Sequence, residues 1–164
     1  MIVKMGDINN KNDSVKSDIN IAVVNGPNIN ILGIREPDVY GRENWDNIGL
    51  RLKGLAQQLG VKLTFFQSNH EGCIVDFIQQ NLDSLDGIVI NPAAYTKTGY
   101  AILDALTSID IPFVEVHISN IYSRGGWHAE SIFSSNAKGL IIGFKGYGYE
   151  LGLRALYNYL NIKT

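Results

Sequence analysis

A glutamate and a histidine two residues apart, Glu115 and His117, stand in a segment that otherwise has the pattern of an apolar strand. Side chains alternate between the two faces of a strand, so these two point to the same side of a sheet. An ionised carboxylate in such a strand is costly unless it is paired and hydrogen-bonded. A glutamate that fixes the tautomer of a neighbouring histidine meets this condition and provides a positioned acid or base. The alternative is a core histidine that a polar neighbour satisfies.

A second group of reactive side chains lies in the loop 33–41, which contains Arg35 and Tyr40. Glycines at both ends can act as hinges, so this loop is predicted to close over a site as a lid. Tyrosine is a poor base at neutral pH, but a nearby guanidinium favours its phenolate form. Arg35 and Arg124 are the candidate guanidinium groups for Tyr40. The alternative is a loop aromatic that packs on the surface.

Polar residues also follow four predicted strands, at 25–28, 68–71, 91–92 and 117–120. Asn, Gly and Ser are common turn residues, so none of these positions is informative alone. Ligands of open parallel sheets bind beyond the carboxyl ends of the strands, so the four together predict a site at that edge. Ile118 and Ser119 supply consecutive backbone N–H groups there, which suits a carboxylate or a phosphate.

The elements that position these residues alternate along the chain. The predicted strands are 19–24, 61–67, 87–91, 112–117 and 139–143, and the predicted helices are 43–59, 71–81, 98–109 and 147–160. Short apolar strands that alternate with helices imply right-handed crossovers and a parallel sheet covered on both faces. We therefore predict an α/β fold, a flavodoxin-like doubly wound sheet of five parallel strands with order 2-1-3-4-5.

The composition predicts one globular domain. Of 164 residues, 45% are hydrophobic and 18% are charged, and residues 1–18 show no periodicity, so we expect a disordered tail at 1–18 and a single domain at 19–164. A net charge of −2 without a basic run argues against a nucleic-acid partner. No segment has the pattern of a membrane span or a secretion signal, so a cytoplasmic location is predicted.

Cysteine, histidine and glycine patterns predict neither a disulfide nor a cofactor. The single Cys73 fits a reducing compartment, and a packed thiol is favoured over a nucleophile. Neither a Walker-type loop nor a Gly-x-Gly-x-x-Gly motif follows a strand, so no nucleotide cofactor is expected. The three histidines lack the paired spacing of a zinc site, so no metal is expected.

Four motifs taken together closely resemble those of the type II 3-dehydroquinate dehydratases. They are Asn25-Gly-Pro-Asn-Ile-Asn-Ile-Leu-Gly33, Arg35-Glu-Pro-Asp-Val-Tyr-Gly41, Asn91-Pro-Ala-Ala-Tyr-Thr96 and Glu115-Val-His-Ile-Ser-Asn120. The resemblance extends from Ile19 to the C-terminus in the order and spacing of the family. It implies a flavodoxin-like subunit, a dodecamer built from trimers, and cofactor-free trans elimination of water from 3-dehydroquinate to give 3-dehydroshikimate. Aromatic biosynthesis (the shikimate pathway) and quinate breakdown both use this chemistry.

The resemblance implies a role for each matching residue on the base side of the reaction. Tyr40 would remove the proton next to the ketone, and Arg35 would hold Tyr40 as phenolate. Asn28 would help to stabilise the developing enolate, since donors are most useful where charge accumulates.

On the acid side, the resemblance implies that His117, oriented by Glu115 and Asn91, protonates the departing hydroxyl. The backbone amides of Ile118 and Ser119 would hold the substrate carboxylate. Asp104 would reach the site of a neighbouring subunit, and Arg124 corresponds to a family arginine at the lid.

Two positions depart from the family pattern. Lys97 stands where the family usually has histidine, and His128 stands where it usually has arginine; in the family both side chains contact the ring hydroxyls of the substrate. Donors and one permanent cation are kept, but the bidentate guanidinium is lost. The hypothesis is a compensated exchange, and the competing hypothesis is a relaxed or redirected specificity.

Two other functions stay open at this point. One is a non-catalytic flavodoxin-like module that senses a small polyhydroxy acid, and the other is a cofactor-free lyase for a related cyclic hydroxy-acid. A sensor has no need for a base and an acid together, so the presence of Tyr40, Arg35, Glu115 and His117 favours an enzyme.

Overall fold

Five parallel strands form one sheet with the order β2-β1-β3-β4-β5, which confirms the predicted topology. The computed structural model describes residues 19–33, 43–124 and 129–162. The strands are β1 (Ile19–Asn25), β2 (Val61–Gln67), β3 (Gly87–Asn91), β4 (Phe113–His117) and β5 (Gly139–Ile142). The helices of the described residues are α1 (Trp45–Leu59), α2 (Glu71–Gln80), α3 (Tyr100–Ser108) and α4 (Tyr147–Ile162). The predicted tail 1–18 and residues 34–41 of the predicted lid lie outside the described residues.

The element boundaries differ from the predicted ones by at most two residues, and the local structure at two helix starts explains the differences there. α1 begins at Trp45 because the side chain of Asn44 accepts a hydrogen bond from the N–H of Asn47 at 3.0 Å. α3 begins at Tyr100 because Gly99, with φ −77° and ψ 52°, lies outside the helical region, while its carbonyl accepts the first helical bond from the N–H of Leu103 at 3.0 Å. Short 3₁₀ turns at Ile29–Ile31, Ala93–Thr96 and Tyr122–Arg124 lie between the predicted strands and helices.

The sheet is covered on both faces, as the doubly wound prediction requires. On one face α1 and α4 pack on β1, β3 and β4, and the buried residues there include Ile21, Val23, Val89, Val114, Val116, Ile48, Leu52 and Leu153. On the other face α2 and α3 pack on residues that include Ala22, Val24, Ile88, Ile90, Phe113, Ile74, Ile102 and Phe133. Each such large apolar side chain contributes about 1.5–3 kcal/mol when fully buried, so these layers hold the strand ends in place.

One prediction is wrong: Cys73 is exposed rather than packed. α2 buries Ile74 and Ile78, four residues apart on one stripe. Each residue turns a helix by about 100°, so the position before Ile74 faces away from the sheet. Within the described part of the chain, no helix combines the length and apolar character that crossing a bilayer requires.

Candidate active site

The strand ends bring polar side chains to one edge of the sheet. Asn25 at the end of β1 is in register with Gln67 on one side and with Asn91 on the other. His117 ends β4, the next strand along. β1 and β3 are neighbours where the strand order reverses, so the predicted convergence is at the place where ligands of such sheets bind.

Glu115 and His117 form a buried pair at this edge, on the face that α2 and α3 cover. Glu115 is 0% exposed and His117 is 5% exposed. The Nε2 atom of His117 lies 2.8 Å from Oε1 of Glu115, as the two-residue spacing predicts. A carboxylate only accepts hydrogen bonds, so Nε2 carries the proton and Nδ1 is left for another partner. The arrangement can therefore transfer a proton through Nδ1 while Glu115 fixes the ring.

Two serines that the sequence reasoning missed complete the surroundings of Glu115. Ser131 Oγ donates to Oε1 at 2.6 Å, and Ser134 Oγ donates to Oε2 at 2.7 Å. Burial by itself raises the pKa of the Glu115 carboxyl, but hydrogen bonds from His117, Ser131 and Ser134 outweigh it and lower that pKa below its ordinary value. Glu115 is therefore ionised. No pattern in the sequence marks these serines, because they follow β4 by 14 residues or more, in an irregular segment.

Tyr149 is a further residue that the sequence reasoning missed. Its hydroxyl donates to Oδ1 of Asn25 at 2.7 Å and accepts from Nδ2 of Asn91 at 2.8 Å. Burial raises the pKa of this phenol well above its ordinary value, so Tyr149 stays protonated and bridges the ends of β1 and β3. The Nδ2 group of Asn25 is buried and has no partner among the described residues.

The amide of Asn91 is used differently from the prediction that it orients His117. Its Nδ2 bonds to Tyr149, and its Oδ1 accepts from the N–H of Ala93 at 3.1 Å. Among the described residues the Asn91 side chain makes no hydrogen bond to His117, which is oriented by Glu115. One N–H of the Asn91 amide stays available to a ligand, since the group carries two donors.

Asn28 lies in the turn that follows β1, and its backbone is in the left-handed region with φ 68°. Its N–H donates to Oδ1 of Asn69 at 3.0 Å. Asn69 in turn accepts from Nε2 of Gln67 at 3.1 Å, and its carbonyl accepts from the hydroxyl of Tyr95 at 2.8 Å. The loops after β1, β2 and β3 are thus tied together around Asn28.

Gly26 allows these loops to approach each other. Its N–H donates to the carbonyl of Asn91 at 2.8 Å. A Cβ atom at this position would lie 2.1 Å from the carbonyl oxygen of Pro92. The close packing of the two strand ends therefore requires glycine here.

Ile118 and Ser119 follow His117 directly at the end of β4. The carbonyl of Ile118 accepts from the N–H of Lys145 at 3.0 Å, which anchors this turn to the segment after β5. Among the described residues, neither the Ile118 nor the Ser119 N–H donates to another backbone group outside the strand ladders. These are the amides whose consecutive N–H groups suit a carboxylate or a phosphate.

Lys97 ends the 3₁₀ turn after β3, and its Nζ lies 2.7 Å from Oε2 of Glu130. Both side chains are exposed, so this ion pair contributes little to stability. Asp104 is exposed on α3. Arg35, Tyr40 and His128 lie outside the described residues, and only the backbone of Arg124 is described, in the turn Tyr122–Arg124.

Residues 19–33, 43–124 and 129–162 contain no cluster of three or more His, Cys, Asp or Glu side chains with the arrangement of a metal site.

Comparison with known proteins assigns the chain to a family. A family model described as dehydroquinase class II matches residues 19–157. A 3-dehydroquinate dehydratase of Aliarcobacter butzleri is 51% identical over 141 residues, which cover 86% of this chain and 86% of that protein. A catabolic 3-dehydroquinase of Aspergillus clavatus is 49% identical over 133 residues, which cover 81% of this chain and 89% of that protein. The crystal structure of a type II dehydroquinase from Butyrivibrio crossotus matches with a TM-score of 0.83 and 42% identity, over 85% of this chain and 98% of that one. The chain therefore belongs to the class II dehydroquinase family.

Proposed function

We propose that this protein is a 3-dehydroquinate dehydratase, a hydro-lyase that eliminates water from 3-dehydroquinate to give 3-dehydroshikimate through an enolate. The buried pair of Glu115 and His117 at the carboxyl edge of the sheet is the observation that carries the proposal. Membership of the class II dehydroquinase family supports it. Its relatives include a 3-dehydroquinate dehydratase and a catabolic 3-dehydroquinase, and one elimination serves both biosynthesis and breakdown.

The elimination needs a base and an acid that act on different atoms of one ring. In the proposed mechanism the Tyr40 phenolate, held in that form by Arg35, takes the proton next to the ketone. The electron pair forms an enolate, whose oxygen the Asn28 side chain stabilises by hydrogen bonding. His117, protonated on both ring nitrogens, then gives the Nδ1 proton to the departing hydroxyl, and water leaves. Glu115 holds Nε2 and offsets the charge of the imidazolium throughout.

Other side chains bind the substrate in this proposal. The amides of Ile118 and Ser119 hold its carboxylate, and the spare N–H of Asn91 reaches a ring oxygen. Lys97 and His128 contact the ring hydroxyls. Since Glu130 already pairs with the Lys97 ammonium, this contact makes Glu130 part of hydroxyl recognition.

Arg124 belongs to the lid in this proposal. Asp104 reaches the site of a neighbouring subunit in a dodecamer built from trimers. The exposure of Asp104 and of Tyr100 on α3 supports an interface on that helix. Light scattering on the purified protein tests the assembly. A cytoplasmic location is also part of the proposal, and the free, exposed Cys73 thiol suits a reducing compartment.

The test is to mix purified protein with 3-dehydroquinate and follow the ultraviolet absorbance of the conjugated enone product. Tyr40→Phe should abolish turnover and keep the binding of product-like ligands. Tyr157→Phe is a matched control, because Tyr157 packs on the apolar layer on the opposite face of the sheet from His117. Substantial residual activity of Tyr40→Phe would refute the assigned base. Binding without turnover in the wild type would favour the sensor, and turnover of only a related cyclic hydroxy-acid would favour the other lyase.

A further inference from the structure

We propose that Ser131 and Ser134 are positioning residues, which hold the Glu115 carboxylate ionised and in fixed orientation beside His117. The inference rests on the proposed function, because its consequence is the correct presentation of the His117 Nδ1 proton. Neither serine belongs to the motifs that carry the family resemblance, and neither contacts His117 by a hydrogen bond.

The hydrogen bonds around Glu115 show that both serine hydroxyls act as donors to its carboxylate. The Ser131 hydroxyl accepts from the N–H of Phe133 at 3.1 Å, so its own proton is directed to Oε1 of Glu115, 2.6 Å away. The Ser134 hydroxyl is 2.7 Å from Oε2. Each carboxylate oxygen therefore accepts from one serine, and Oε1 also accepts from His117.

These donors decide the charge of Glu115. The carboxylate is fully buried, and an ionised carboxylate in such a place is unfavourable unless hydrogen bonds replace its hydration. Without the two serines, the Nε2–H of His117 would be the remaining donor among the described residues. A protonated Glu115 would hold that N–H only through a weaker, uncharged hydrogen bond, so the contact that fixes the ring of His117 would weaken. Among the described residues, His117 is the one titratable group that influences the pKa of Glu115.

The segment that carries the serines is anchored independently of Glu115. Phe133, between them, is fully buried in the apolar layer under α2 and α3. The N–H of Ile132 donates to the carbonyl of Thr96 at 3.0 Å, and the N–H of Lys138 donates to the carbonyl of Phe113 at 2.8 Å. The serine hydroxyls are thus delivered by a rigid framework, which is what a positioning role requires.

The experiment compares Ser131→Ala, Ser134→Ala and the double variant with Ser134→Thr, which keeps a hydroxyl. Ser135→Ala is the matched control, since Ser135 is adjacent and exposed and does not contact Glu115. The steady-state pH profile on 3-dehydroquinate and an infrared titration of the buried carboxyl are measured for each variant. Glu115→Gln assigns the infrared band of the Glu115 carboxylic acid.

In the double variant the carboxyl band should appear at a pH at least about one unit higher than in the wild type, because hydrogen bonds to a charged group are lost. The acidic limb of kcat should move in the same direction. At neutral pH, kcat should fall about 10- to 100-fold while KM changes less than about threefold. Ser134→Thr should recover most of the single-variant loss, and Ser135→Ala should match the wild type.

If the serines had a purely structural role, the variants would lose stability, but the infrared titration and the pH profile of their folded fraction would match those of the wild type. That result would overturn the inference. The same holds for a loss confined to KM. If the wild type does not turn over 3-dehydroquinate, the proposed function fails, but the infrared titration still reports whether the serines hold the carboxylate. The single variants provide the same measurement if the double variant does not fold.

Discussion

The packing of Gly26 against Pro92 makes Gly26→Ala a severe change at one defined place. The added Cβ would lie 2.1 Å from the Pro92 carbonyl oxygen and 2.7 Å from its carbon, whereas ordinary contacts begin at 3.4 Å. The loops after β1 and β3 must therefore separate by about 1 Å, which displaces Asn28 relative to Asn91. We expect kcat/KM to fall about 100-fold, because an error of this size in a reacting geometry costs about that much. The unfolding free energy should fall by about 1–3 kcal/mol, as in overpacked cores.

The assay is kcat/KM on 3-dehydroquinate together with the midpoint of urea unfolding at unchanged slope. Gly54→Ala on the exposed side of α1 is the control, because its added Cβ would meet no atom within 4 Å. That change should leave activity intact and stabilise the helix by about 0.5–1 kcal/mol. A Gly26→Ala enzyme with kcat/KM within about threefold of the wild type and an unchanged midpoint would refute the close approach of the two strand ends.

Four further changes test other parts of the site. Tyr149→Phe keeps the ring but removes the hydroxyl that bridges two buried asparagine amides, so the unfolding free energy should fall by about 2–4 kcal/mol; a loss below about 0.5 kcal/mol would show that the bridge is not formed. Glu115→Gln should lower the melting temperature at pH 7. Folding lowers the pKa of Glu115, so its carboxylate stabilises the fold at pH values above the ordinary pKa, and this stabilisation is lost as the pH falls through the lowered pKa. The difference in melting temperature between Glu115→Gln and the wild type should therefore close under acid conditions in calorimetry; a constant difference would contradict this. For the exchanged pair, Lys97→His combined with His128→Arg should be no more damaging in kcat/KM than either single change, and strictly additive losses would count against compensation. Glu130→Gln, which frees the Lys97 ammonium, should alter KM more than kcat, and a loss in kcat alone would argue against hydroxyl recognition.

The sequence by itself determined the layers of the fold and the pair at its edge. Short apolar strands alternate with helices whose apolar residues recur every three or four positions. This pattern specifies a doubly wound parallel sheet, because the apolar side of each helix must be buried against the sheet. Glu115 and His117 were predictable as neighbours, because alternation along a strand holds in any sheet. The convergence of polar strand ends followed from the same topology.

Only the tertiary structure decided which groups surround that pair. Ser131 and Ser134 reach Glu115 from 16 and 19 residues away, and Tyr149 reaches Asn25 from 124 residues away. Such contacts depend on how a loop and a helix pack on the sheet, and no local periodicity encodes them. Cys73 was predicted to be packed but is exposed. It directly precedes the buried Ile74 on α2, and each residue turns a helix by about 100°, so adjacent positions can differ fully in burial.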